Sequence, residues 1–248
     1  MSGHSKWHNI RLKKGKVDAA RGALFTKLSK EIILAAKTGS TDPEANYRLK
    51  MAVEKAREFN MPQENIKRAI ARAAGAADER GIEEIRYEGY GPHGLAVVAD
   101  ALTDNRNRTA GELRFLFSRH EGTLGESGSV AWMFEPVGVA EIDSGGRSEE
   151  TLLDDVLLDG VEDVEYDEAV CEIYTRPAML GEVRDGLRVR GYKLRDAYLG
   201  MRATNKLELT GAALTAALEF LEALEEHEDV QRVFSNLDFD SVPVEALA

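Results

Sequence analysis

The chain has 248 residues, 43% of them hydrophobic and 31% charged, and its 32 Lys+Arg stand against 44 Asp+Glu for a formal charge of −12. That length allows two or three domains and a substantial core, in the composition of an ordinary soluble protein. A single cysteine, Cys171, excludes an internal disulfide and points to a reducing compartment. No apolar run reaches the ~18 residues of a membrane span, and no apolar stretch follows the basic start as in a secretory signal.

The chain opens on its most unusual stretch. Met1 to Lys30 holds eight basic residues (Lys6, Arg11, Lys13, Lys14, Lys16, Arg21, Lys27, Lys30) and one acid, Asp18, with Trp7 set between His4 and His8. Residues 1–75 carry 16 Lys/Arg against 7 Asp/Glu, so the acidic excess lies entirely downstream. A positive front on a negative protein points to a polyanionic partner met by one end only. The bland alternative is an arm that covers the acidic domains of its own chain. An organelle transit peptide is also acid-poor, but this start lacks the Ser/Arg-rich length and runs into a helix.

Residues 1–17 show no apolar period and read as a flexible arm. Asp18 caps an expected helix to about Lys37, with Leu24, Leu28 and Ile32 inward and Gly39 at its end. Asp42–Pro43 reads as the start of a second helix that buries Leu49, Ala52, Val53 and Ala56 and ends at Asn60. Pro62 opens a third, with Ile66 and Ala69 inward. Short connections make the three a small bundle, and the small-residue stretch 74–81 reads as a hinge.

The period then changes to two. IRYEGY (85–90) and LAVVADAL (95–102) read as strands, the second apolar enough to be central. Thr109 and Glu112 spell a capping box for a helix with Leu113 and Phe117 inward, and SVAWMF (129–134) reads as a third strand. From Pro136 onward the order strand, helix, strand, strand, helix, strand is the split βαββαβ arrangement. A capped helix from Thr210 and the strand VQRVFSN (230–236) return to the earlier unit.

Gly89-Tyr90-Gly91-Pro92-His93-Gly94 spells G-x-G-x-x-G, but a strand follows it where a dinucleotide site needs a helix, so a hairpin loop is expected. Asp104 to Thr109 joins a central strand to a helix. Arg106 and Arg108 there can contact phosphate, or the stretch can be a polar turn with Asp104 pairing an arginine. His4 and His8 lack a third ligand at metal-binding spacing. No nucleophile elbow, P-loop or HExxH occurs.

Taken together, the runs GHSKWHNI (3–10), DPEANYRL (42–49), NMPQENIKRAI (60–70), YEGYGPHG (87–94), LTDNRNRTAGELR (102–114), GSVAWMFE (128–135) and DVQRVFSN (229–236) resemble the YebC/PmpR family. Its mitochondrial relatives activate translation of cytochrome oxidase subunits. Ser40 and His93 stand where the family usually has Gly, and Glu121 precedes Gly122 where its turn is tighter, which touches only local turn geometry. The resemblance implies a non-enzymatic cytoplasmic regulator of gene expression, either DNA-binding or acting on ribosomes, including those stalled at proline-rich sequences.

The expected fold is α+β in three domains. Residues 1–78 form the arm and helical bundle, 79–135 with 205–241 an interrupted middle domain, and 136–204 an inserted ferredoxin-like domain. Expected nucleic-acid contacts are His4, Lys6, Trp7, His8, Arg11, Lys13, Lys14, Lys16, Arg21, Lys27, Lys30, Arg106 and Arg108, with Arg48, Lys55, Lys67, Arg68 and Arg72 extending the surface. No cofactor, metal, membrane or small-molecule substrate is expected. The partner is DNA or ribosomal RNA, and a protein–protein adaptor working through the acidic domains is a further reading. Nothing fixes the oligomeric state; a monomer is the default.

Overall fold

The computed structural model describes residues 19–75, 81–166 and 170–242. These divide into two compact units, one of 19–131 with 211–233 and the other of 132–210 with the segment from 234. Together they make an α+β architecture with seven α-helices and two four-stranded sheets.

In the first unit, α1 (Ala19–Lys37) packs along both α2 (Tyr47–Glu58) and α3 (Gln63–Ala74). Leu28, Ile32, Leu49, Ala52, Val53, Ala56, Ile66 and Ala69 close their common core. Small residues at these positions bring the helices close but bury little area each. The helices therefore do not close a core alone: Ile82 and Leu102 belong to the same cluster.

The α2 start differs from the expectation. Pro43 lies in a turn, and Asn46 is the cap, accepting from Leu49 N at 3.1 Å. The Asn46 amide also donates to Ala35 O (2.8 Å), a carbonyl left over in the last turn of α1, and to Ser40 O (2.7 Å) in the loop beyond it. Gly39 is required because Asn46 Nδ2 lies 2.7 Å from where a Cβ would sit, and not because of a left-handed turn.

The hairpin β1 (Glu83–Tyr90) and β2 (Ala96–Thr103) pairs Glu83 with Thr103 through Tyr90 with Ala96, so the glycine-rich run is a hairpin loop. The sheet order is β3-β1-β2-β8, with β3 at Thr123–Leu124 and β8 at Val230–Ser235. Strand β2 is central and buried along nearly its whole length, as its apolar run implied. Helices α4 (Arg106–Arg119) and α7 (Gly211–Glu226) belong to this unit, with Phe117 of α4 and Phe220 of α7 edge to face at 4.9 Å.

Of the expected strand 129–134 only Phe134 is extended. Glu88, 4% exposed, accepts the N–H groups of Gly128 (3.0 Å), Val130 (3.1 Å) and Ala131 (2.8 Å). Those donors are taken by one carboxylate and are lost to strand pairing. Ala131 to Met133 form a 3₁₀ turn instead.

In the second unit β4 (Phe134–Asp143) runs straight through Pro136, which faces Met201 of β7 (Leu194–Ala203). Pairing of β4 with β6 (Val170–Thr175) begins only at Gly138, so Pro136 interrupts no second ladder. With β5 (Val161–Tyr166) the order is β5-β6-β4-β7, every pair antiparallel. That is the split βαββαβ topology. Helices α5 (Glu149–Val156) and α6 (Leu180–Val189) cover one face through Leu152, Val156, Val183 and Leu187 against Ala140, Ile142, Cys171 and Ile173. Burial pushes the Cys171 thiol up to about 12, which suits an inert core residue.

The other face carries a row of acids in register. Glu165 lies opposite Glu172, Glu172 opposite Glu141, and Glu141 opposite Asp196. Glu172 is 3% exposed and accepts from Tyr174 Oη, while Tyr198 Oη donates to Glu141 at 3.1 Å. Burial first, then the Glu141 charge, raises the Glu172 carboxyl well above the usual carboxylate range; the Tyr174 hydrogen bond only partly opposes this. A carboxyl raised by folding contributes fully below its unfolded pKa of ~4.3 and loses that contribution as pH rises through its folded value. Glu172→Gln is therefore expected to stabilise the protein at pH 8 by up to about 1 kcal/mol, the scale of an opposed cross-strand charge pair. The gain should vanish at pH 4. Urea unfolding at both pH values measures it, and a variant less stable at pH 8 would refute the assignment.

Candidate nucleic-acid interface

The loop after β2 and the first turns of α4 are tied together from within. Asn105 is the α4 cap, accepting from Arg108 N at 3.2 Å. The expected cap, Thr109, is fully buried inside the helix. Its hydroxyl donates to Asp229 Oδ2 at 2.6 Å and lies 2.8 Å from Thr103 Oγ1, which also accepts from Asn105 N at 2.9 Å.

Asp229, in the turn between α7 and β8, is the centre of this arrangement and has no exposed surface. Arg108 reaches both of its oxygens, at 3.1 and 2.9 Å, and Lys30 of α1 pairs with Oδ1. The Asp229 carbonyl accepts from Leu102 N at 2.8 Å. Burial by itself would raise the Asp229 carboxyl, but the hydrogen bonds from Lys30, Thr109 and Arg108 outweigh it and hold the group down at about 2.

Two lysines of α1, one turn apart, close the C-terminal end of α7. Lys27 donates to Glu225 O and Lys30 to Glu228 O at 3.1 Å. Carbonyls at a helix end lack intrahelical partners and carry the negative end of its dipole, so ammonium groups are favoured there.

The expected contacts therefore divide. Those from His4 to Lys16 lie outside the described residues, and of Arg21 only the helical backbone is described. Lys27, Lys30 and Arg108 are brought together, but around Asp229 and the end of α7, with their charge directed inward. Lys30 is 8% exposed. Arg106 is exposed, and its carbonyl accepts from Tyr87 Oη at 3.3 Å.

Of the helix cations, Arg48 faces Glu84 (3.9 Å), Lys55 faces Glu31 (3.9 Å) and Lys67 pairs with Glu64 (3.2 Å). Arg68 and Arg72 are exposed on α3. Sequence reasoning missed Asp229 altogether. Its only signal was a place in the run DVQRVFSN, beside apolar strand residues.

Glu112, His227 and Asp229 offer ligand atoms within 4.8 Å of one another. The His227 Nδ1 accepts from Asp229 N at 3.1 Å, and Nε2 lies 3.1 Å from Glu112. Lys30 and Arg108 already neutralise Asp229, so a metal ion would have to displace a cation. The group is an ion-paired corner. Among the described residues no helix is long and apolar enough to cross a membrane.

Comparison with known proteins identifies the group to which this arrangement belongs. Residues 5–76 match the family model for the TACO1/YebC protein N-terminal domain, and residues 82–237 match that for the TACO1/YebC second and third domain. A protein of Caldanaerobacter subterraneus subsp. tengcongensis is 46% identical over 241 residues, covering 97% of this chain and 99% of its own. One from Rubrobacter xylanophilus is 48% identical over 239 residues, 96% of each chain. Both are named probable transcriptional regulatory proteins. A crystal structure of a conserved hypothetical protein from Aquifex aeolicus is similar, with a TM-score of 0.82 and 43% identity over 90% of this chain and 92% of that one. The chain belongs to the TACO1/YebC family.

Proposed function

We propose that the chain is a non-enzymatic, cytoplasmic nucleic-acid-binding regulator of gene expression. The observation that carries this reading is the opening segment, eight basic residues and one acid on a chain of net charge −12. Lysines and arginines held near phosphates release counterions, and Trp7 supplies a ring for stacking. We further propose three domains: 1–78, 79–135 with 205–241, and 136–204. The inserted βαββαβ sheet supports the last, and Ile82 and Leu102 tie the core of the helices to the first hairpin of the middle one.

The relatives' names favour DNA as the target. A second reading, ribosomal or other structured RNA, is favoured by the inward turn of Lys27, Lys30 and Arg108. Those three cations are then not presented to a major groove. A basic segment that also carries an aromatic ring suits irregular RNA well.

Reversing Lys13, Lys14 and Lys16 to Glu should flatten the dependence of log affinity on log salt. The expected loss is about 0.9 in slope per contact on duplex DNA and about 0.7 on single strands. An unchanged slope removes the arm from binding. Crosslinking in cells followed by sequencing decides between promoter DNA and ribosomal RNA; recovery of neither favours an adaptor.

A further inference from the structure

The inner side of α4 is fully accounted for: Thr109, Leu113 and Phe117 are buried. Its outer side is not. Phe115 is 68% exposed in the middle of that face. A helical side chain leans toward the turn before it, so Phe115 overlies residue 111. That residue is Gly111, which is itself exposed. A Cβ on Gly111 would meet nothing within 4 Å, and its φ is not positive.

Neither residue serves the fold there. Glycine is among the poorest choices for an exposed helix interior, and an exposed Phe buries nothing. Two locally unfavourable choices one turn apart mark a place shaped for something else. The cavity-free backbone beside the ring leaves room for a flat group to lie against Phe115.

The charge around the ring says what kind of group. Arg119 follows Phe115 by one turn on the same face, and Arg114 is exposed toward its margin. No carboxylate among the described residues forms an ion pair with either of these two. Arg108 and Glu112, also on this helix, are engaged with each other and with Asp229 and His227. An aromatic ring flanked by uncommitted guanidinium groups, on a chain of net charge −12, fits an anionic partner with unpaired aromatic faces.

We infer that the outer face of α4 is a binding surface for single-stranded RNA, in which a base stacks on Phe115 over Gly111 while Arg114 and Arg119 meet the flanking phosphates. RNA is the occupant because unstacked bases are what its loops and bulges present, whereas duplex DNA keeps its base faces covered. Exposed Asn107 and Ser118 on the same side offer partners for a 2′-hydroxyl. The inference rests on the nucleic-acid reading above and gives it a second contact away from the opening segment.

The test is fluorescence anisotropy of the full chain with a labelled 12-nucleotide adenosine RNA, the same sequence as DNA, and the RNA paired with its complement. Phe115→Ala should weaken single-strand RNA binding about 5- to 150-fold, the range for loss of one stacked base, and Phe115→Trp should restore it. Gly111→Ala should also weaken binding while raising the melting midpoint by about 2–4 °C, since alanine is the better helix former. Those opposite signs separate a contact surface from a damaged fold.

If Phe115→Ala binds RNA as the parent does, the surface is refuted. Lost affinity in the Lys13, Lys14 and Lys16 reversal would then leave the wider reading standing. A parent chain that binds none of the three probes overturns both. Tighter binding to the DNA strand or to the paired RNA overturns the choice of single-stranded RNA. A change in sedimentation of Phe115→Ala with unchanged RNA affinity assigns the face to a protein partner and overturns it too.

Discussion

Asp229→Ala is expected to lower the free energy of unfolding by about 3–5 kcal/mol, the cost of leaving buried charge without its counter-charge. Lys30 would keep only the Glu228 carbonyl, and the Thr109 hydroxyl would lose its charged acceptor and fall back on Thr103 Oγ1 and the Asn105 carbonyl. For a chain of this size the melting midpoint should fall by about 6–20 °C. Lys30→Met alone should cost less, because Arg108 and Thr109 still hold the carboxylate. The double variant Lys30→Met, Asp229→Asn should recover part of the loss, since both members of the pair are then neutral.

The effect carries a pH signature. The Asp229 carboxyl is depressed to about 2, so its contribution is present above its unfolded pKa of ~3.9 and is lost as pH falls through about 2. The gap between parent and Asp229→Ala should narrow below pH 4 in urea unfolding curves. A gap of constant size down to pH 2 would mean that packing, and not charge, is what the substitution removes.

Glu88→Ala is expected to cost about 2–4 kcal/mol. Three backbone donors lose one acceptor, and each buried N–H left unsatisfied costs ~1–3 kcal/mol before the loop relaxes toward water. Glu88→Gln keeps one carbonyl oxygen but sets an NH₂ group against N–H donors, so about half of the loss should remain. Hydrogen exchange gives the local reading. Amides of Gly128, Val130 and Ala131 should lose protection selectively in Glu88→Ala, while β2 keeps its own. Unchanged protection at these three would show that the carboxylate does not hold the loop.

Where local pattern governs, the fold was legible. The apolar run 95–102 gave a central strand, the glycine-rich stretch gave a hairpin loop, and the order of elements after Pro136 gave the split βαββαβ sheet. The misses share a cause. Residues 129–133 fail to form a strand because Glu88, some forty residues earlier, captures the N–H groups of Val130 and Ala131. Thr109 lies inside the helix because Asn105 caps it four residues earlier, and its hydroxyl turns to Asp229, 120 residues later. The α2 helix starts late because Asn46 reaches back to Ala35. In each case a polar side chain is claimed by a partner that periodicity and propensity do not register.

The same limit applies to the candidate interface. Lys27, Lys30 and Arg108 read as open cations because little near them in sequence neutralises them, apart from Asp104 and Glu112 on either side of Arg108. Their main partners are at the far end of the chain. Phe115 escaped notice for the opposite reason. An isolated Phe in an amphipathic helix looks like core until its exposure is known.

The bond between Lys30 and Asp229 spans 199 residues. On a ribosome adding about 5–20 residues per second, Lys30 joins the chain some 10–40 s before its counter-charge exists. In that interval the whole 132–210 segment is made, and its sheet can close on strands that are all at hand. The earlier unit must wait, with an ammonium group in water where a dry ion pair will later stand. Vectorial synthesis therefore lets that sheet close first, and a chain cut short before residue 229 leaves the N-terminal helices without the charge that anchors them.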